Sequence, residues 1–79
     1  MTKEEIMRDV VNACGEVFFP SGEINENDYL RSDLGADDLD KVELIMYLER
    51  KFNISIGTDE EDNIHTIGDL VAVITKKLS

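Results

Sequence analysis

Apolar side chains recur at helical spacing in three stretches of the chain, and this periodicity restricts it to a helical fold. The first stretch opens with Thr2-x-x-Glu5, the pattern of a capping box, and closes near residues 15–18, around Gly15 and before Pro20. One face of this predicted helix is apolar, so we expect it to pack on the rest of the chain. The members of that face are Ile6, Met7, Val10, Val11, Cys14 and Val17.

A second long helix is predicted from the region of Asp37 to about Phe52. Asp37 is a favourable N-cap residue, and the carboxylates of Asp38 and Asp40 suit the positive end of a helix. Asn53 and later Gly57 weaken the helical pattern after Phe52.

Two further helices are predicted near the C-terminus. Thr58-x-x-Glu61 can cap a short helix through about Asn63, and Thr66-x-x-Asp69 opens the last helix. The predicted fold is therefore all-α, a four-helix bundle with three longer helices, one short helix and a long loop between the first two. The last helix has Lys76 and Lys77 at its negative end and the apolar set Ile67, Leu70, Val71, Val73, Ile74 and Leu78.

Residues 18–36 connect the first two helices without a helical pattern. A wholly solvated loop of this length is unusual in a compact domain, so its apolar residues are predicted to pack on the bundle. These residues are Phe18, Phe19, Ile24, Tyr29, Leu30 and Leu34.

Length and charge restrict the classes of function open to the chain. Seventy-nine residues are expected to form one domain, 1–79, whose thin core leaves little room for a deep enzyme pocket. Eighteen acidic against eight basic residues give a net charge of −10, which disfavours nucleic acid and membrane partners and favours basic protein surfaces. There is no long apolar run or signal core, and the single cysteine, Cys14, suits a reducing compartment. We expect a cytoplasmic monomer.

The sequence patterns for metal binding and catalysis are weak. The acidic clusters 33–40 and 59–62 lack the spacing of a calcium loop, and His65 has no second histidine or cysteine at ligand spacing. Loose association of divalent cations stays open, but we expect no metal site. Neither a Gly-rich phosphate loop nor a Cys–His pair is recognisable, so we expect no enzyme activity.

The predicted second helix carries two apolar stripes on nearly opposite faces. On a wheel of ~100° per residue, the core stripe contains Leu44, Ile45, Leu48 and Phe52. The second stripe contains Leu39, Val42 and Met46. A small bundle cannot bury both, so the second stripe, flanked by Glu43 and Glu49, is a candidate docking surface for a protein. The alternative is that the long loop covers it. Arg50 lies on the same face and dilutes its negative charge.

The segment Asp33-Leu34-Gly35-Ala36-Asp37-Asp38-Leu39-Asp40 resembles the signature of acyl carrier proteins, which reads D-L-G-A-D-S-L-D. The resemblance extends through Val42-Glu43-Leu44 and over essentially the whole chain. It implies a four-helix bundle that carries acyl chains as thioesters on a 4'-phosphopantetheine arm, which a phosphopantetheinyl transferase attaches to the serine. It also implies docking of the second helix on acyl-processing enzymes, through positions matching Asp37, Leu39, Asp40, Val42, Glu43, Met46 and Glu49.

Asp38 stands where this signature has the modified serine. A carboxylate cannot form the serine phosphodiester, and Ser32, six residues upstream, has the wrong register to replace it. We therefore expect no phosphopantetheine on this chain. Asp38 could be an engineered replacement, a natural loss of the arm or a sequence error. Two functions stay open: a fatty acid or polyketide carrier with a blocked site, or an adaptor that docks partners and is never loaded.

Overall fold

The computed structural model describes residues 1–18 and 22–79, and four helices lie in these two ranges. Their bounds are α1 (Lys3–Val17), α2 (Asp38–Phe52), α3 (Thr58–Asp62) and α4 (Ile67–Leu78). The all-α arrangement of three longer helices, one short helix and a long loop after α1 is confirmed. The predictions that concern Phe19, Pro20 and Ser21 lie outside the described residues.

The three longer helices begin at the predicted cap residues, and the structure adds a capping box between Asp37 and Asp40. The side chains of Thr2, Asp37 and Thr66 each accept the N–H three residues later, and the carboxylate there accepts the N–H of the cap residue. These reciprocal bonds satisfy donors that a helix start otherwise leaves unpaired. The sequence alone therefore fixes where each of these helices starts.

The predicted cap of α3 at Thr58 is wrong by one residue. Gly57 is the N-cap, and its N–H donates to Oε1 of Glu60 at 3.0 Å. The same carboxylate oxygen lies 2.8 Å from Nζ of Lys77 on α4. This contact between helices and the N–H of Gly57 hold Glu60 as the capping group, and they lower its pKa.

The core lies between α1 and the two other long helices, because α1 packs against both α2 and α4. Ile6, Val10 and Cys14 of α1 are buried as predicted, and Ala13 is buried with them. Leu78 belongs to the predicted apolar set of α4 but is 39% exposed, as the last residue of that helix. The completely buried larger side chains are Ile6, Leu44, Leu48, Ile64, Ile67, Leu70 and Ile74.

The loop before α2 is hydrogen-bonded to the backbone around the start of α4. Leu30 donates its N–H to the carbonyl of His65 at 2.9 Å, and Gly68 donates to the carbonyl of Glu26 at 2.8 Å. Leu30 is buried as predicted, but Tyr29 is 51% exposed, so its predicted packing is wrong. The N–H groups of Asp33 and Leu34 both donate to the carbonyl of Tyr29, so a turn begins here and Leu30 is its buried member.

No helix in the described ranges is both long and apolar enough for a bilayer span.

Candidate functional site

The start of α2 is set by a turn that requires glycine. Gly35 has a φ of +74°, in the left-handed region that other residues rarely adopt. Ala36 is buried and donates its N–H to the carbonyl of Leu30 at 2.8 Å. Asp37 then accepts the N–H of Asp40 at 2.8 Å through Oδ1. The turn and the cap together fix the direction in which α2 leaves the loop.

Asp38 is the first residue of α2, and its side chain is 91% exposed. Oδ1 of Asp38 lies 3.4 Å from Nη1 of Arg31. The N–H groups of Asp38 and Leu39 have no acceptor within the described ranges, so they add a positive field at this end of the helix. The ion pair of Asp38 with Arg31 is exposed, and such a pair contributes about 1 kcal/mol of stability at most. The carboxylate of position 38 is therefore presented to solvent.

A depression lies beside Asp38, between the loop and α2. Its apolar lining comes from Leu30, Ala36 and Ile64, with Tyr29 at its side. Its polar lining consists of Arg31, Ser32, Asp37, Asp38, Lys41 and His65. This arrangement could not be predicted from the sequence, because no periodicity links residues 29–32 or 64–65 to the start of α2.

Ser32 opens into the same depression but belongs to a turn, not to a helix start. Lys41 is partly exposed and lines the same depression. A hydroxyl therefore lies near position 38, although in a different backbone setting from the one that the family signature prescribes.

The second stripe of α2 is exposed. Leu39 is 64%, Val42 39% and Met46 48% accessible, so the described part of the loop does not cover them. On the opposite face Leu44, Ile45 and Leu48 are buried and Phe52 is half-buried. The division of α2 into a core face and an open apolar face is thus present in the structure.

The acidic residues predicted beside this stripe have different surroundings. Glu43 is exposed, whereas Glu49 is half-buried and accepts the N–H of Ile56 through Oε2 at 2.8 Å. Asp37 and Asp40 are tied to each other's backbone in the cap. Among these four acids, Glu43 is the one whose carboxylate has no backbone hydrogen bond to residues 1–18 or 22–79.

Cys14 and His65 are the remaining candidates for catalysis or metal binding. Cys14 is completely buried, and burial raises the pKa of its thiol to about 11. His65 is exposed, and its backbone N–H donates to Asp69 at 2.9 Å. Within residues 1–18 and 22–79, no group of three or more His, Cys, Asp or Glu is arranged to hold a metal ion.

Comparison with known proteins identifies the family. The model of the phosphopantetheine attachment site matches residues 5–74. The acyl carrier protein of Exiguobacterium sibiricum is 44% identical over 75 residues, 94% of this chain and 95% of the relative. That of a second Exiguobacterium strain is 42% identical over 79 residues, 99% and 100% of the two chains. A third, from Prochlorococcus marinus, is 41% identical over 98% of both.

The fold leads to the same family. A solved structure assigned as an acyl carrier protein of Mycobacterium tuberculosis superposes with a TM-score of 0.86 and 28% identity, over 90% of this chain and 96% of the other. The matched region includes Asp38 and the whole of α2. The chain belongs to the acyl carrier protein family, whose members are phosphopantetheine-bearing carriers and not catalysts.

Proposed function

We propose that this chain docks on acyl-processing enzymes through the second stripe of α2 while carrying no phosphopantetheine at position 38. The observation that carries the proposal is the exposed carboxylate of Asp38 at the start of α2, where the family signature has serine. The open apolar residues Leu39, Val42 and Met46 support the docking part. Partner recognition and covalent carriage are thereby separated in this chain.

The chemistry of position 38 supports the absence of the arm. Attachment requires a hydroxyl oxygen that forms a phosphodiester, and an aspartate oxygen would form an acyl phosphate instead. Such mixed anhydrides hydrolyse readily. Asp37, Asp38 and Asp40 also place negative charge where a phosphate would have to approach. Arg31, the cation paired with Asp38, offsets this repulsion only in part, since the pair is exposed.

The expected partners are enzymes with basic patches, including a phosphopantetheinyl transferase. The net charge of −10 favours encounter with such surfaces and disfavours self-association. It also supports the inference of a monomer without nucleic-acid or membrane partners. We further infer one domain over residues 1–79 and a cytoplasmic location, in line with the single, buried cysteine.

Intact-mass measurement after incubation with coenzyme A and a phosphopantetheinyl transferase tests the first part. The chain itself should gain no mass, whereas Asp38→Ser should gain one phosphopantetheine arm. The double variant Asp38→Ser/Ser32→Ala should load equally well, because Ser32 lies outside α2. An arm on the unmodified chain, mapped to any residue, would refute the proposal that this protein is not loaded.

A binding experiment tests the docking part. The chain is titrated against purified acyl-processing enzymes and the transferase of its own organism, with the dissociation constant measured by calorimetry. Glu43→Lys and Met46→Ala should weaken binding while helicity stays unchanged. Glu4→Lys makes the same charge change in the first turn of α1 and should have little effect. Equal affinity for all variants would show that the second stripe is not the docking surface.

The second candidate function is that of an adaptor that docks partners and has lost recognition by the transferase as well. The departure at Asp38 supports it, because a protein that is never loaded needs no transferase contacts. A folded Asp38→Ser variant that still gains no arm would favour the adaptor. Loading of that variant would favour a carrier scaffold with a blocked site.

A further inference from the structure

Arg50 is a positive charge at the end of an otherwise acidic docking face. Leu39, Glu43, Met46 and Arg50 follow one another at steps of four, three and four residues, so they form one row along α2. Arg50 is exposed, and with Met46 it lines two neighbouring depressions. One is completed by Glu16, Val17, Glu43 and Tyr47, and the other by Glu49, Asn53, Ile54 and Ser55.

The guanidinium of Arg50 makes no ion pair within the described ranges, where the three ion pairs involve other cations. Helix spacing gives the reason. Its neighbours at helical spacing are Met46, Tyr47 and Asn53, and none is acidic. Glu16 of α1 and Glu43 line the same depression, but neither forms an ion pair with Arg50 within the described ranges. Its sequence neighbour Glu49 is bonded to a backbone N–H of the following loop. Arg50 is therefore available to a partner, although the chain contains eighteen acidic residues.

Acidic side chains are concentrated at the start of this face, and Arg50 adds a positive charge near its end, where the carboxylate of Glu49 accepts the N–H of Ile56. Asp37, Asp38 and Asp40 lie at its start, Glu43 follows, and Arg50 lies near its end. At ~1.5 Å per residue, ~18 Å separate positions 38 and 50 along the axis. The apolar contact offered by Met46 lies between the two charged ends, closer to Arg50.

We propose that Arg50 determines which partners the α2 face accepts, by requiring a carboxylate opposite it. The partner is a protein surface with basic side chains opposite the start of α2 and an acidic side chain roughly 18 Å away along the helix. This inference rests on the proposed docking function and specifies its partner.

Charge complementarity accounts for the selection. A uniformly basic surface would place like charge against Arg50, and an apolar surface would remove its hydration without supplying an acceptor. Either contact disfavours binding, whereas a carboxylate can accept two parallel hydrogen bonds from the guanidinium. The same residue thus attracts one class of partner and rejects another.

The test uses the purified enzyme that binds most tightly in the docking experiment, and compares its dissociation constants for the chain and three variants. Arg50→Gln should weaken binding about 5- to 30-fold. This range lies between the effect of losing an exposed ion pair and that of losing a buried one. Arg50→Glu should weaken it further. The matched control is Lys51→Glu, which changes the net charge equally one residue further around α2 and should stay within about twofold.

A second measurement identifies the partner group directly. In Arg50→Lys, carbodiimide should couple the new amine to a partner carboxylate, and mass spectrometry of the digested product should find this cross-link at residue 50. Equal or tighter binding of Arg50→Glu, with binding still weakened by Met46→Ala, would refute this inference and leave the docking proposal intact. Failure of every enzyme in the panel to bind would refute both.

Discussion

Two leucine deletions on the same helix measure how different the two faces of α2 are. Leu44 is completely buried, and Leu→Ala at such positions costs about 2.7–5 kcal/mol of unfolding free energy. Leu39 is 64% exposed and so buries only about a third of its side chain. If full burial is worth about 1.5–3 kcal/mol, Leu39→Ala should cost roughly 0.5–1 kcal/mol. The higher helix propensity of alanine offsets a few tenths of that.

The assay is urea unfolding followed by far-ultraviolet circular dichroism, since the chain has no tryptophan. A domain of this size has a total stability of about 4–12 kcal/mol, so Leu44→Ala removes a large share of it and Leu39→Ala a small one. Binding to the docking partner should show the reverse order for the folded variants, with Leu39→Ala the weaker binder. Equal destabilisation by the two substitutions would show that the second stripe belongs to the core and would refute the docking argument.

Three further predictions concern the fold that supports this face. Gly35→Ala should destabilise the domain by about 1–2 kcal/mol, because alanine is strained at a positive φ. Gly15→Ala should stabilise it by about 0.5–1 kcal/mol, because Gly15 lies within α1 and an added methyl group meets open space. Thermal unfolding of the two variants measures both effects. The pKa of Asp69 is lowered from its ordinary 3.8, chiefly by the N–H of His65, so its stabilising effect should be complete above pH 3.8 and disappear as the pH falls through the lower folded-state value. Asp69→Asn should flatten this part of the stability–pH curve, and an unchanged slope would contradict the assignment. Cys14, with its pKa raised to about 11 by burial, should resist iodoacetamide at pH 8 in the folded protein and react once urea unfolds it.

Local interactions explain why much of the fold could be predicted. Capping boxes at Thr2, Asp37 and Thr66 join groups three residues apart, so the sequence contains both partners of each bond. The α3 cap was misplaced because the capping oxygen of Glu60 is also held by Lys77, seventeen positions later in the chain. A motif of four residues contains no information on a contact of that range.

The difference between local and long-range interactions also explains which parts of the candidate site could be predicted. The sequence by itself determined that Asp38 has no hydroxyl, that it begins α2, and that α2 has two apolar faces, because residue chemistry and helical period are properties of the chain alone. Only the tertiary structure decided that Arg31 faces Asp38, that Glu49 bonds to Ile56 and that the described part of the loop leaves the second stripe open. These contacts join separate segments, and their geometry depends on how the loop and α4 pack together, which no local pattern specifies.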